Sequence, residues 1–551
     1  MGSGVRAVDA SPAPAALRRG LIVSAAVFVS GAVVLGMEIA ASRVLAPFFG
    51  NSLFVWGALI GVVLAGLALG YWAGGWLADR LPTPTLLAAV MGLGALLVLA
   101  VPVLDEPVLE AIVRWDPGPR LNPLLAAIML FGAPSVILAG VAPIAVRLRA
   151  RSLTTLGQTA GRLFAISTAG SIAGTFATAF WLIPEFGTDQ LLGLAAAALF
   201  GAAVLVSLAE RLLLITALAA AGVALAGFAA VELAPESGGT LNEAQTRNWS
   251  PLYRRVGYVR GQGPVGGDGL RLRYAKDTRY HRLSVADDGR TRFLRFDASY
   301  QSGMIIKQPF ATAFEYTDFF HLLKAYNPRA RNVLFIGLGG GSSPKRLWRD
   351  FPELRLQGVE LDPVVRDVAY RFFGLPRDPR LRVAIDDGRR YLVRNHRRWD
   401  AIIVDAFFSD AIPFHLFTAE FLELASSRLN PGGVVLTNTI GSIAGDRSRL
   451  FRSIYRTYRS IFPTVLVHPT IIGDDAGDDT ALRNLILVAT DQAAPSKAFL
   501  VERWRQIAAE FPRVPDLRRP IEQRHDRPIA LEGVPTLTDQ YAPTDALLLI
   551  E

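Results

Sequence analysis

The chain of 551 residues carries 57 Lys plus Arg against 48 Asp plus Glu, a formal charge of +9, and 51% of its residues are hydrophobic. With no cysteine, it has no disulfide, no thiolate metal ligand and no cysteine nucleophile. The length exceeds what one core usually supports, and residues 1–240 hold 12 Arg, no Lys and 12 acidic residues, so the whole positive excess lies in the C-terminal 311 residues.

After an N-terminal tail, residues 1–19, the stretch 20–234 reads as an all-α transmembrane bundle. Seven apolar segments approach the length of about 20 residues that a bilayer span requires: 20–45, 52–78, 84–104, 122–146, 161–183, 188–208 and 212–232. Gly66, Gly70 and Gly74 recur every fourth residue in the second, and Gly170 and Gly174 repeat that spacing in the fifth. Such spacing lets helix backbones approach closely in lipid. The fifth segment also carries Ser167, Thr168, Ser171, Thr175 and Thr178, a face expected inside the bundle or along a cavity. Glu38 and Arg43, in or near the first span, read either as a substrate or proton site or as a paired acid and a snorkelling cation.

Arg6, Arg18, Arg19, Arg80, Arg147, Arg149, Arg151, Arg162 and Arg211 all flank one side of these spans. The positive-inside rule makes that side cytoplasmic, and seven crossings would then put the C-terminal half outside. Nucleoside cosubstrates are cytoplasmic, so the expectation is a multi-pass protein of a bacterial-type inner membrane with a cytoplasmic C-terminal half and a re-entrant fifth segment. The run Gly70–Arg80 resembles the loop between helices two and three of major facilitator transporters, which keeps a transporter reading open.

Residues 235–275 read as a linker, rich in glycine at 261–269. Alternating apolar positions over 278–306 predict a small antiparallel sheet, within a β-rich domain 276–330. From 331 to 551, apolar strands near 332–338, 354–361, 381–386, 399–406, 433–439, 463–468 and 483–490 alternate with helical stretches. That alternation predicts a Rossmann-like α/β domain, in which ligands bind outside the carboxyl ends of the strands.

Those strand ends carry the candidate site. The first ends in a glycine turn, Gly337, Gly339, Gly340 and Gly341, with a helix start expected at Ser342 or Ser343. The second ends at Glu360, placed to accept ribose hydroxyls; the third ends at Asp386, Asp387 and Gly388, and the fourth at Asp405. Ser342 occupies the third glycine of the dinucleotide fingerprint, and no Gly-Lys-Ser/Thr phosphate loop follows.

In Phe296-Asp297-Ala298-Ser299-Tyr300-Gln301-Ser302, the Tyr316 motif, the glycine turn, Glu360-Leu361-Asp362, Asp386-Asp387-Gly388 and the Asp405 loop running to Leu416-Phe417-Thr418, the second half resembles the spermidine synthase (polyamine aminopropyltransferase) family. The whole chain resembles its membrane-fused members. The resemblance implies a catalytic Asp405 that takes a proton from, or orients, an attacking amine. It implies a donor site of Gln301, Gly337, Gly339, Gly341, Glu360, Asp386, Asp387 and Gly388, and acceptor contacts at Tyr316, Asp318, Asp410 and His415. No cofactor is implied; the cosubstrate is decarboxylated S-adenosylmethionine, or S-adenosylmethionine itself.

The chain departs from the family pattern where Gly340 replaces an Asp that grips the donor's amino group, where Phe408 replaces an acceptor-binding Asp, and where His281 and Thr317 stand for Gln and His. His415 reads either as a general base or as a cap of the helix near Thr418. The expected activity is membrane-anchored transfer of an aminopropyl group to an amine such as putrescine. Methyl transfer to a membrane-associated acceptor and a polyamine transporter with a nucleoside-sensing domain remain as alternatives. Partners are a small-molecule amine, the sulfonium donor and membrane lipid, with a homodimer allowed; no metal site and no nucleic-acid module are expected.

Overall fold

The computed structural model describes residues 14–49, 52–118, 120–150, 152–232, 270–297, 299–407, 412–470, 477–544 and 547. The chain forms two compact units whose main division falls between Pro235 and Glu236. Of the expected linker, residues 235–269 lie outside the described residues, and its end already belongs to the first strand.

Among the described residues of the first unit, seven helices are long and apolar enough to cross a membrane. They are α1 (Pro14–Phe49), α2 (Leu53–Arg80), α3 (Pro84–Trp115), α4 (Leu121–Arg149), α5 (Leu153–Phe186), α6 (Thr188–Ala209) and α7 (Leu213–Glu232). α5 is one helical run of 34 residues with a π-turn at Thr178–Leu182, so the re-entrant fold-back expected of it is not formed. The transporter-like run Gly70–Arg80 is likewise no loop; it forms the last turns of α2.

The glycine spacing has the predicted use. A Cβ on Gly66 would meet the Ser135 Cβ at 2.7 Å, one on Gly70 the Val136 carbonyl at 2.2 Å and one on Gly74 the Gly140 Cα at 2.5 Å, so α2 and α4 meet at backbone contact. Gly170 and Gly174 bring α5 equally close to Phe28 and Ala32 of α1. Ser167, Thr168 and Ser171 line a cavity with Ser30 and Tyr71, as the polar face of α5 requires. Glu38 and Arg43 are half-buried on α1.

The second unit begins with a four-stranded antiparallel sheet, β1 (Arg271–Asp277), β2 (Arg282–Asp287), β3 (Thr291–Phe296) and β4 (Ser299–Ile305), in sequential order. A seven-stranded sheet follows, of β5 (Asn332–Ile336), β6 (Arg355–Glu360), β7 (Leu381–Ile385), β8 (Trp399–Val404), β9 (Leu429–Gly441), β10 (Thr464–Pro469) and β11 (Arg483–Thr490). Its order is β10-β11-β9-β8-β5-β6-β7; β11 runs antiparallel to both its neighbours, β10 and β9, and the five strands from β9 to β7 pair in parallel.

Strand alternation builds three layers. Val333 and Phe335 enter one core with Leu347 and Trp504, whereas Leu334 and Ile336 enter the opposite core with Phe421 and Tyr458. The small sheet has its own core, where Leu283, Val285 and Leu294 pack on Val365, Val368 and Phe373. The order in which successive strands are laid down reverses between the parallel neighbours β5 and β8, so the crevice for a ligand opens at their carboxyl ends.

Candidate active site

At that reversal lies an open cleft, the kind of place where small-molecule sites form in α/β sheets. β5 ends at Ile336, and Gly337 (φ +88°) turns the chain where a Cβ would stand 2.2 Å from the Asp405 carbonyl. Gly339 (φ +53°) turns again, beneath Ser302. The Ser302 hydroxyl accepts the Gly340 N–H at 2.8 Å, which fastens the small sheet to the glycine turn. Gly341 caps α8 (Ser342–Asp350) and does not line the cleft; its neighbour is Leu375.

Glu360, at the end of β6, is buried. Its two carboxylate oxygens accept the N–H groups of Leu338 and Asp362, each at 3.0 Å. Burial raises its pKa, against those backbone donors, which lower it. Asp362 caps α9 (Pro363–Phe372) through the Val364 N–H at 2.8 Å, and its other oxygen is buried at the cleft wall. Asp386 accepts the Asp387 N–H and an ion pair from Arg390. Asp387 caps α10 (Gly388–Arg394) and meets His415 Nε2 at 2.8 Å. Burial raises the Asp387 pKa, but the His415 contact and backbone donors outweigh it, leaving that carboxyl below its ordinary value.

Asp405 follows β8 and is held by its N–H on the Ile336 carbonyl at 2.9 Å. Burial pushes its carboxyl up from 3.8 to about 6, although Asn438 and the Tyr316 hydroxyl both hydrogen-bond to it and oppose the shift. Asn438 Nδ2 donates at 2.9 Å. A carboxylate that titrates near neutral pH beside a tyrosine is suited to proton transfer with an amine.

The structure therefore gathers Gln301, Tyr316, Gly337, Gly339, Glu360, Asp386, Asp387, Gly388, Asp405 and His415 around one cleft. Asp318 is not among them: its carboxylate is taken by Thr312 at 2.6 Å and by Arg346. Asp410 and Phe408 lie outside the described residues. His415 pairs with Asp387 and caps nothing; Thr418 itself caps α11 (Ala419–Ser427). His281 stacks on Phe296 at 4.3 Å and also lines the cleft, whereas Thr317 turns its hydroxyl onto the Phe314 carbonyl. Among the described residues no group of three His, Cys, Asp or Glu could hold a metal ion.

Two residues escaped the sequence reading. Tyr280 lines the cleft beside His281, and Asn438 sits at the carboxyl end of β9, where the polar run Thr437-Asn438-Thr439 in an apolar strand is a legible signal.

Residues 314–472 match the Spermine/spermidine synthase domain family. A polyamine aminopropyltransferase of Vibrio vulnificus is 33% identical over 226 residues, which cover 40% of this chain and 71% of that protein. An N-terminal histidine N-methyltransferase of Emericella nidulans is 30% identical over 250 residues, 41% of this chain and 43% of that one. Among solved structures, a probable spermidine synthase from Corynebacterium glutamicum is 19% identical, with a TM-score of 0.37 over 51% of this chain and 98% of that one. With the cleft and its acids in place, the match to most of an aminopropyltransferase makes this chain a member of the polyamine aminopropyltransferase (spermidine synthase) family, and a transferase.

Proposed function

We propose that the protein is a membrane-anchored aminopropyltransferase, moving the aminopropyl group of decarboxylated S-adenosylmethionine to an amine acceptor such as putrescine and releasing methylthioadenosine. The observation that carries this reading is charge. Among the described residues lining the cleft are Glu360, Asp362, Asp386, Asp387 and Asp405, and neither Lys nor Arg. Arg390 offsets Asp386 and His415 pairs with Asp387, but with Glu360, Asp362 and Asp405 the wall remains acidic and attracts a doubly positive donor and an ammonium acceptor more than a donor that carries a carboxylate.

In this reading Glu360 holds the ribose, Asp386 the adenine amine, and Gln301 and Tyr316 enclose the reacting groups. Asp405 accepts the acceptor's proton, freeing the nitrogen lone pair that attacks the carbon next to sulfur. The carbon–sulfur bond breaks with its electrons on sulfur, and positive charge moves from the sulfonium to the new ammonium beside Asp405. The seven apolar helices anchor the enzyme by multiple crossings.

Methyl transfer from ordinary S-adenosylmethionine is the second reading. It is favoured by Gly340, which leaves no acid in the glycine turn to repel that donor's carboxylate, and by similarity to methyltransferases. Incubating the detergent-purified full chain with each donor, a diamine panel and a lipid extract separates the two by mass spectrometry of the nucleoside. Methylthioadenosine with an aminopropylated amine supports the first reading; S-adenosylhomocysteine replaces it with the second.

A further inference from the structure

We propose that Asn438 and Asn484 are positioning residues for Asp405, two carboxamides in series that present a fixed donor to one oxygen of the carboxylate that serves the attacking amine. The proposal rests on the aminopropyl-transfer reading only for the identity of that amine. Its geometry is a chain across three strands. Asn438 Nδ2 on β9 donates to Asp405 Oδ1 at 2.9 Å, and Asn484 Nδ2 on β11 donates to Asn438 Oδ1 at 3.0 Å.

The order of these bonds matters. A carboxamide has one accepting oxygen and one donating nitrogen, and which end faces a neighbour is decided by the whole network. With the Asn438 oxygen occupied by the Asn484 N–H, only its nitrogen is left for Asp405. Asn484 thus fixes the polarity of a contact it does not itself make.

Both side chains are nearly inaccessible, at 1% and 3%, so solvent does not compete with the relay. Their backbones are pinned as well: Asn438 pairs with Ile486 and Asn484 with Ile440 in the sheet, while the Asn484 carbonyl accepts the Thr470 N–H at 2.9 Å. Every residue of β11 is buried, and the four that follow Asn484 are Leu485, Ile486, Leu487 and Val488. Two amides in such a place are costly unless they satisfy each other and a third group. Asp405 is that third group.

Removing the donor from a carboxylate disfavours its ionised form, so Asp405 would hold its proton to higher pH and fewer molecules could accept one from the amine. The Tyr316 hydroxyl also bonds Asp405, and Glu360, Asp362, Asp386, Asp387, Tyr280, His281 and His415 are the other titratable groups around the cleft. None of them changes in the variants below.

The test uses the full chain in detergent. The Asp405 carboxyl is titrated by infrared difference spectroscopy, its band assigned by Asp405→Asn, beside the pH profile of kcat/KM with decarboxylated S-adenosylmethionine and putrescine. Asn438→Ala is expected to move both midpoints up by about one pH unit, so that kcat falls about twofold at pH 7 and about tenfold at pH 5, with donor KM little changed. Asn484→Ala shifts them the same way by less.

Unmoved midpoints in Asn438→Ala, at a wild-type melting midpoint, overturn the proposal; if that variant does not fold, unmoved midpoints in Asn484→Ala do so. A carboxyl band that shifts as expected in a protein that turns over neither donor supports the relay and removes the aminopropyl-transfer reading, so the two failures are distinct.

Discussion

Ser302 and Gly340 are joined by a 2.8 Å hydrogen bond from the Gly340 N–H to the Ser302 hydroxyl, and a Cβ on Gly340 would stand 3.0 Å from the Ser302 Cβ and 2.9 Å from the Phe373 ring. The space an acid would need in the glycine turn is thus occupied by two side chains of this protein.

Gly340→Asp tests what that filling does. Phe373 is fully buried and must yield, so the variant should lose about 1–3 kcal/mol of stability by overpacking. The new carboxylate repels the carboxylate of ordinary S-adenosylmethionine and attracts the aminopropyl ammonium. Calorimetric Kd values for the two donors should therefore move apart in favour of the decarboxylated one. An unchanged ratio would mean that the donor's amino end does not reach this turn.

Asp405→Asn should abolish turnover, spare donor binding and yet stabilise the fold at alkaline pH. Burial raises the Asp405 pKa from 3.8 to about 6. Below about pH 4 both folded and unfolded chains hold the proton and no penalty exists. As pH rises through about 6 the folded state must carry a buried anion, and a shift of about two units corresponds to about 3 kcal/mol lost. Asparagine removes that loss, so the melting midpoint of the variant should exceed that of the wild type at pH 8 and the difference should shrink toward pH 5. A variant less stable than wild type at pH 8 would contradict the burial of an ionisable Asp405.

Much of this was legible in the chain because strand ends obey a local rule. Glu360, Asp386, Asp387 and Asp405 each terminate an apolar parallel strand, and all four reach the cleft. Asp318 shows where the rule stops: it belongs to a 3₁₀ turn, Glu315–His321, whose neighbouring Tyr316 faces the cleft while its own carboxylate meets Arg346 from α8. That pairing joins positions 28 residues apart and leaves no trace in spacing. Asn438 needed the same rule applied to the fifth strand, and Asn484 needed the β11–β9 register, which only the folded sheet supplies.

Asp318→Asn should accordingly act on stability and not on chemistry. The Arg346 side chain is only 6% exposed, and removing Asp318 leaves it with the charge of Asp350 alone, so the loss should stay below the cost, about 3–5 kcal/mol, of a fully buried pair broken outright. Asparagine retains a partner for Thr312 and reduces the loss. The expected result is a lower melting midpoint with kcat and acceptor KM within about twofold of wild type. An acceptor KM raised tenfold at an unchanged midpoint would return Asp318 to the acceptor site.

Sidedness follows from the number of crossings. With α5 a continuous helix of 34 residues, seven crossings, were all seven apolar helices to span a membrane, would put the chain after α7 on the same face as the α3–α4 turn and opposite the α4–α5 turn. The protein has no cysteine, so one introduced thiol is the only one present. Trp115→Cys at the end of α3, Ser152→Cys before α5 and Gln492→Cys after β11 are all at exposed positions. An impermeant maleimide should label Trp115→Cys and Gln492→Cys from one face and Ser152→Cys from the other, and the flanking Arg147 and Arg149 make the Ser152 face cytoplasmic. The catalytic unit would then be external, against the cytoplasmic expectation, and its donor would have to reach that face. Gln492→Cys labelled together with Ser152→Cys would instead mean that one helix does not cross, and would return the catalytic cleft to the compartment where nucleoside donors are made.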